Sequence, residues 1–209
     1  MKRSFVCTIS IALLAWAGAA NAASPKLKGE YAFTGTAACL VSGTPFNPAD
    51  LTATGFTVST SFSVIGVRTF NGDGTGTMKG RSVNINPPPR SISGLPCNVP
   101  GACPLGGVSA NSSDFTAKFT YVVDGDGGFT TLLVPGTFQG TVLTGPGAGS
   151  TFTIDQFSLA GLISINHETL TLATDVPAQE TQTITPPSAP PFVRYRICHR
   201  SRALTRMGN

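Results

Sequence analysis

The sequence has few charged residues, few histidines and none of the common catalytic motifs. Charged residues make up 11% of the chain, and His167 and His199 are its two histidines. A Ser-His-Asp triad needs a histidine beside the nucleophile, so only these two residues could serve in one. The Gly-x-Ser-x-Gly elbow, the P-loop, the Rossmann glycine pattern and His-Glu-x-x-His are missing. We therefore assign no catalytic residue, no metal ligand and no cofactor.

The composition also excludes a mainly helical or a disordered chain. Gly and Pro number 24 and 16, and Ser and Thr are abundant, which favours strands and turns over helices. Apolar residues reach 41%, too many for a disordered chain of low charge. The length suits one domain with a sizeable core.

The N-terminal residues predict export. Lys2 and Arg3 precede an apolar run from Phe5 to about Ala17, and Ala20-Asn-Ala22 fits a cleavage site for a secretory signal peptide. We therefore predict a signal peptide at 1–22 and a mature domain at 23–209 in the periplasm or outside the cell; an N-terminal membrane anchor is the alternative. Later apolar stretches are too short for a transmembrane segment.

Four cysteines lie beyond the predicted signal peptide: Cys39, Cys97, Cys103 and Cys198. An even number in an oxidising compartment predicts two disulfides, for which three connectivities exist. We favour Cys97–Cys103, because a short Pro-Gly loop joins these residues, and this choice leaves Cys39–Cys198. The Cys-x2-Cys spacing typical of zinc sites is missing.

Alternation of apolar and polar residues predicts strands. It is clearest in Phe56–Val64 and Phe115–Tyr121, and Tyr31–Thr34 shows it less cleanly. We expect eight to ten strands and no helix after the signal peptide.

Glycine and Asx residues lie where hairpin turns are needed, at 71–74, 124–128, 145–147 and 166–168. Asp124 and Asp126 also match the start of a calcium loop. The remaining ligands of such a loop do not follow, so the hairpin interpretation is preferred.

Consecutive hairpins favour a single antiparallel up-and-down β-barrel of about eight strands, with a β-sandwich as the alternative. A Cys39–Cys198 disulfide agrees with closure, because it joins the first strand to the last. Alternation places Cys39 on the inward face, with Tyr31, but Cys198 on the face of Arg194, which we expect to be outward. A bulge would reconcile the two faces of a barrel.

Two further segments stand apart in composition. The Pro-rich stretch 87–112 predicts a long loop stiffened by the Cys97–Cys103 disulfide. The C-terminal segment 192–209 holds five arginines and no acid. We interpret it as a solvated last strand and tail, with contact to an anion or a membrane surface as the alternative. Nucleic acid is not expected, because the basic residues are confined to one end.

The opening Leu27-Lys-Gly29-Glu-Tyr31 resembles the Gly-x-Trp opening of lipocalins and other calycin-like barrels. The resemblance covers this opening and the hairpin order, and Tyr31 replaces the tryptophan of the family pattern. The chain is also similar to small exported bacterial β-proteins without an assigned function. The resemblance implies a barrel that holds a ligand, and no binding residue is carried over from it.

The predicted function is that of an exported, non-catalytic barrel that binds a small apolar ligand. One alternative is a structural or interaction module of the cell envelope, with a protein partner that the sequence does not identify. The other is a barrel enzyme of the cyclase or isomerase type, with Asp155 as its acid. The candidate ligand-binding residues are the aromatic residues expected to face inward: Phe33, Phe56, Phe62, Phe115, Phe119, Tyr121 and Phe152.

Overall fold

The computed structural model describes residues 27–86 and 109–208. Throughout these two ranges the chain is all-β, with eleven antiparallel strands. No helix in these ranges is long and apolar enough to cross a membrane. The strands are β1 (Lys28–Ser42), β2 (Thr57–Asn71), β3 (Thr75–Asn86), β4 (Ser109–Val123), β5 (Gly128–Leu133), β6 (Phe138–Thr144), β7 (Thr151–Ile154), β8 (Ser158–Ile163), β9 (Thr169–Ala173), β10 (Gln179–Thr185) and β11 (Phe192–Arg206).

The sheet closes on itself, because β1 pairs with β2 on one side and with β11 on the other. The closed ring contains eight strands: β1, β2, β3, β4, β5, β8, β9 and β11. The β1–β11 pairing runs from Tyr31–Arg206 to Ser42–Tyr195 without a change of register. The predicted all-β fold with about eight antiparallel strands in a closed ring is therefore confirmed.

The remaining strands β6, β7 and β10 continue the wall of the same ring. The first part of β4 pairs with β6, and its last part pairs with β5. In the same way, the first part of β11 pairs with β10 and its last part pairs with β9. Between them, β7 pairs with β6 and β10, and β8 pairs with β5 and β9. The segments β5–β6, β7–β8 and β9–β10 are thus three long strands, each interrupted once. Counted in this way, the chain is an up-and-down succession of eight long strands.

The predicted turns join these strands as expected. Gly72 and Gly74 have positive φ angles of 85° and 90° in the turn between β2 and β3. The segment between β4 and β5 is a hairpin turn, in which a carboxylate oxygen of Asp126 accepts the N–H of Gly128 at 3.1 Å. His167, with a φ of 58°, lies in the turn between β8 and β9.

Inward aromatic rings lie opposite glycines on the neighbouring strands. Phe33 faces Gly66 across β1 and β2, and Phe119 faces Gly76 across β3 and β4. A Cβ on Gly66 would lie 2.8 Å from the ring of Phe33 and 2.2 Å from a backbone oxygen, closer than atoms pack. These glycines therefore provide the room that lets large rings fold across the interior.

One end of the ring is filled by a packed aromatic cluster. The ring of Phe70 makes edge contacts with Tyr31, Phe119 and Tyr121, with centroids 5.1–5.3 Å apart. The Tyr121 hydroxyl donates to the Leu27 carbonyl at 2.6 Å, so its polar atom is satisfied inside the core. Such edge-to-face packing stabilises a core beyond simple burial.

The disulfide Cys39–Cys198 is present and joins residues that face each other across β1 and β11. Cys198 is buried, and so are Arg196 and Arg200 on the same face of β11. Our expectation that this face is outward, with the last strand solvated, is therefore wrong. The arginine face of β11 points into the ring, and no bulge is needed between β1 and β11.

Two other expectations concern residues outside the described ranges. The Cys97–Cys103 disulfide and the signal peptide at 1–22 lie outside them and stay predictions. The loop expected at 87–112 is shorter at its C-terminal end than we predicted, because Ser109–Ser112 belong to β4 and pair with β3. The basic segment 192–209 is largely the strand β11.

Replacing Cys39 and Cys198 together by serine should lower the free energy of unfolding by about 5 kcal/mol. The disulfide closes a loop with a sequence separation of 159, and the chain-entropy model gives this magnitude for so long a loop. Guanidinium chloride unfolding of the oxidised proteins measures it. Serine at Cys97 and Cys103 is the comparison, with an expected loss of about 2 kcal/mol if these residues are paired. An equal loss in both variants would contradict the expectation that the Cys39–Cys198 disulfide stabilises the fold more than a short-loop disulfide does.

Candidate functional site

The ring encloses a cavity of about 470 Å³ beside the packed aromatic cluster. Its wall is formed partly by aromatic rings and partly by serine and asparagine side chains of β3 and β4. Asn86 and Ser109, which flank segment 87–108, are among the lining residues. The interior is therefore filled at one end and open beside it. The sequence alone does not decide between a filled and an open interior.

Four of the seven predicted aromatic residues line this cavity: Phe33, Phe62, Phe115 and Phe152. Phe119 and Tyr121 face inward as expected, but they belong to the packed cluster and not to the cavity wall. Phe56 precedes β2 and is 53% exposed, so the prediction that it faces the interior is wrong. The alternation in the sequence starts at Phe56, one residue before β2 begins, so it does not define the direction of the Phe56 side chain.

Five arginines also line the cavity, and the sequence interpretation missed all of them. They are Arg68 on β2 and Arg194, Arg196, Arg200 and Arg202 on β11. The four arginines on β11 alternate in step with Cys198, so they share its face of the strand. The predicted disulfide between Cys198 and an inward-facing Cys39 was the signal that this face points inward. Instead, their charge made a solvated face the simpler interpretation.

Two of these arginines share one buried carboxylate. Glu180 on β10 is 3% exposed, and its Oε2 accepts from Arg196 Nε at 2.8 Å and from Arg200 Nη2 at 2.6 Å. Arg200 Nη1 also contacts the other carboxylate oxygen, which makes this pair bidentate. The ring of Phe157 lies 4.6 Å from the Arg200 guanidinium carbon. Glu180 thus fixes Arg196 and Arg200 in place.

The remaining arginines have no carboxylate partner in the described ranges. Arg68 is 3% exposed and lies over the rings of Phe33 and Phe119, at 5.8 and 5.2 Å from their centroids. Its Nε and Nη1 are buried and form no hydrogen bond within the described part of the chain. Arg202 Nη1 donates only to backbone carbonyls, those of Thr36 at 2.7 Å and Ser201 at 2.8 Å.

Burial without a counter-charge lowers the pKa of these arginines. The pKa of Arg68 falls to about 10, and that of Arg194 falls to about 10 because burial is reinforced by Arg196. The pKa of Arg202 falls to about 9 through burial and the nearby charges of Arg200 and Arg68. All three values lie above 7, so these guanidinium groups stay positive at neutral pH. The cavity therefore carries five positive groups against one buried carboxylate.

The acid and histidines considered for catalysis lie elsewhere. Asp155 is exposed, and its carboxylate accepts the N–H groups of Gln156 at 2.7 Å and Thr181 at 2.8 Å. His199 is exposed on β11, and the backbone carbonyl of His167 accepts the Tyr31 hydroxyl. None of these three side chains lines the cavity.

A smaller recess of about 190 Å³ lies where two of the three long strands are interrupted. Thr174 and Val176 line it from the break between β9 and β10, and Gln156 lines it from the break between β7 and β8. Glu180 and Arg200 also line the recess, and Arg200 lines the main cavity as well. The buried ion cluster therefore lies between the two spaces.

No protein-family model and no curated protein matches the chain. The functional interpretation therefore depends on the geometry described above.

Replacing Glu180 by glutamine should destabilise the protein by about 3–5 kcal/mol. The change leaves the buried guanidinium groups of Arg196 and Arg200 without a counter-charge, which is costly inside a protein. Denaturant unfolding at neutral pH measures the loss. Asp114→Asn is the control: Asp114 pairs with Arg81 on the exposed surface, so no clear change is expected there. Equal stability of both variants would show that the Glu180 cluster does not stabilise the fold.

Proposed function

We propose that this chain is a non-catalytic binding protein that holds a small, largely apolar organic molecule inside the ring. The observation that carries the proposal is the cavity of about 470 Å³, whose lining includes seven phenylalanines. Ligand pockets of this size class combine apolar walls with a few polar groups. The serine, asparagine and arginine side chains of the wall supply such groups.

Three observations support a ligand-binding protein of the exported kind. The N-terminal pattern is that of a signal peptide, and a disulfide such as Cys39–Cys198 persists in oxidising compartments. The up-and-down order of eight long strands supports the calycin-like resemblance of the Leu27–Tyr31 opening. This likeness is a matter of architecture and says nothing about the ligand.

The two alternatives have less support. An envelope module would use the loop at 87–112 and the basic C-terminal segment as contact surfaces. In the latter segment Arg196, Arg200 and Arg202 are buried and offer no such surface. A barrel enzyme with Asp155 as its acid needs that carboxylate in the cavity, whereas Asp155 is exposed and does not line it.

Native mass spectrometry of the protein purified under oxidising conditions tests the proposal directly. We expect a mass above that of the bare oxidised chain, and we expect organic extraction to remove the excess. Extracted protein should then regain mass when a neutral apolar compound of suitable size, such as decanol, is added. Protein that arrives bare and takes up no such compound would overturn the proposal.

Alanine at Phe62 or Phe152 should weaken uptake of the extracted ligand, or of decanol, by about tenfold. Each ring is only partly buried by the protein and contributes apolar surface to the cavity, and contact with one such ring is worth roughly 1.5 kcal/mol or more. Calorimetric titration measures the change. Phe56→Ala is the matched control, because Phe56 is exposed and does not line the cavity. Equal weakening in all three variants would mean that the cavity is not where the compound binds.

A further inference from the structure

The uncompensated charge inside the ring points to the chemistry of the ligand. The ten acidic residues of the chain all lie in the described ranges, and segments 1–26 and 87–108 contain none. No side-chain carboxylate from those segments can therefore balance the buried arginines. A buried guanidinium without a partner is costly, and buried charges in proteins are normally paired.

We propose that the ligand carries an anionic group such as a carboxylate, which Arg68 and Arg202 bind, while its apolar body lies against Phe62, Phe115 and Phe152. This inference rests on the proposed function and specifies its ligand as an amphipathic organic anion. Arg196 and Arg200 are not the chosen receptors, because Glu180 already supplies them with a counter-charge, through Nε of Arg196 and in a bidentate pair with Arg200.

Arg68 has the properties of a receptor for an anion. It lines the cavity next to the packed cluster, is 3% exposed, and has buried donors without partners among residues 27–86 and 109–208. Phe33 and Phe119 flank its guanidinium and keep water away from it. A guanidinium held in this way offers several donors in one plane, which suits the two oxygens of a carboxylate.

Arg202 is held beside Arg68 by its own strand pair. It lies opposite Gly35, and a Cβ at Gly35 would come within 2.6 Å of Arg202 Cδ, so the glycine lets this side chain lie flat against β1. The carbonyls of Thr36 and Ser201 hold Nη1, while Arg202 still lines the cavity. Arg68 lies over the ring of Phe33, which is two residues from Gly35 on β1, so both arginines line the same side of the cavity.

The rest of the cavity argues against a free inorganic anion. A phosphate ion at Arg68 and Arg202 would leave the cavity-facing surfaces of Phe62, Phe115 and Phe152 uncovered. An anion with an attached apolar chain would contact both sets of residues. The observations therefore favour the amphipathic molecule, and inorganic phosphate becomes one arm of the test.

The test compares decanoate, decanol and inorganic phosphate on the extracted full-length protein by calorimetric titration. Decanoate and decanol differ in their head group, so their ratio reports recognition of the charge. We expect decanoate to bind roughly ten- to a hundredfold more tightly than decanol, as charge-assisted hydrogen bonds imply, and phosphate to bind far more weakly than decanoate.

Arg68→Met supplies the second measurement, with Arg81→Met as the control that loses the same charge from the exposed surface. Methionine fills similar space without charge, so Arg68→Met should lose the preference for decanoate and bind decanol as before. The ligand-free Arg68→Met protein should also melt at a higher temperature than the ligand-free parent, because an uncompensated buried charge is gone. Arg81→Met should keep the preference for decanoate.

The outcomes separate the two proposals. Decanol binding as tight as decanoate binding, or a preference that survives Arg68→Met, overturns the anionic head group and leaves the proposed function intact. Phosphate binding as tight as decanoate binding shows a site for inorganic anions and overturns the amphipathic ligand. Absence of any binding by decanoate and decanol overturns the proposed function itself.

Discussion

The pairing of β1 with β11 is the constraint on which the rest of the structure depends. It joins twelve residue pairs in one register, with the disulfide at Cys39–Cys198. Because side chains alternate along a strand, this register decides which residues of β11 enter the ring. A shift by one residue would exchange the buried arginines for the exposed Ser201 and Ala203. Closure of the sheet and the positive charge of its interior are therefore consequences of the same pairing.

The protein offsets part of the cost of its internal charge in three ways. Glu180 neutralises one charge of the Arg196–Arg200 pair. Aromatic faces lie against Arg68, Arg200 and Arg202, and a ring face attracts a cation when water is excluded. Backbone carbonyls accept from Arg202. Two of the cavity arginines, Arg68 and Arg194, keep buried nitrogen atoms without a hydrogen-bond partner in the described ranges.

Strands, turns and closure could be predicted from local patterns, because each depends on neighbouring residues. Alternation in 57–64 and 115–121 gave strands, and the glycines at 72 and 74 gave a turn with positive φ. The direction of the β11 arginines could not be predicted in this way. A strand with alternating arginines looks the same whether its polar face meets water or a polar interior.

The sequence pattern also could not predict which inward residues fill the core and which line the cavity. Phe115 lines the cavity and Phe119 fills the packed cluster, although they lie on the same face of one strand. The difference depends on what lies across the sheet and across the ring, such as Phe70 beside Phe119. Such relations involve residues far apart in the chain, so they follow only from the three-dimensional register.

The closing pair of strands also has a kinetic consequence. The residues of β1 and β11 are separated by most of the chain, and the bonded cysteines have a sequence separation of 159. Contacts of such long range make folding slow, because loop entropy is lost before they form. The arginines of β11 leave water only when this strand pairs with its neighbours, so their desolvation accompanies closure of the ring. Closure therefore has to meet the cost of burying these charges as well as the loss of loop entropy.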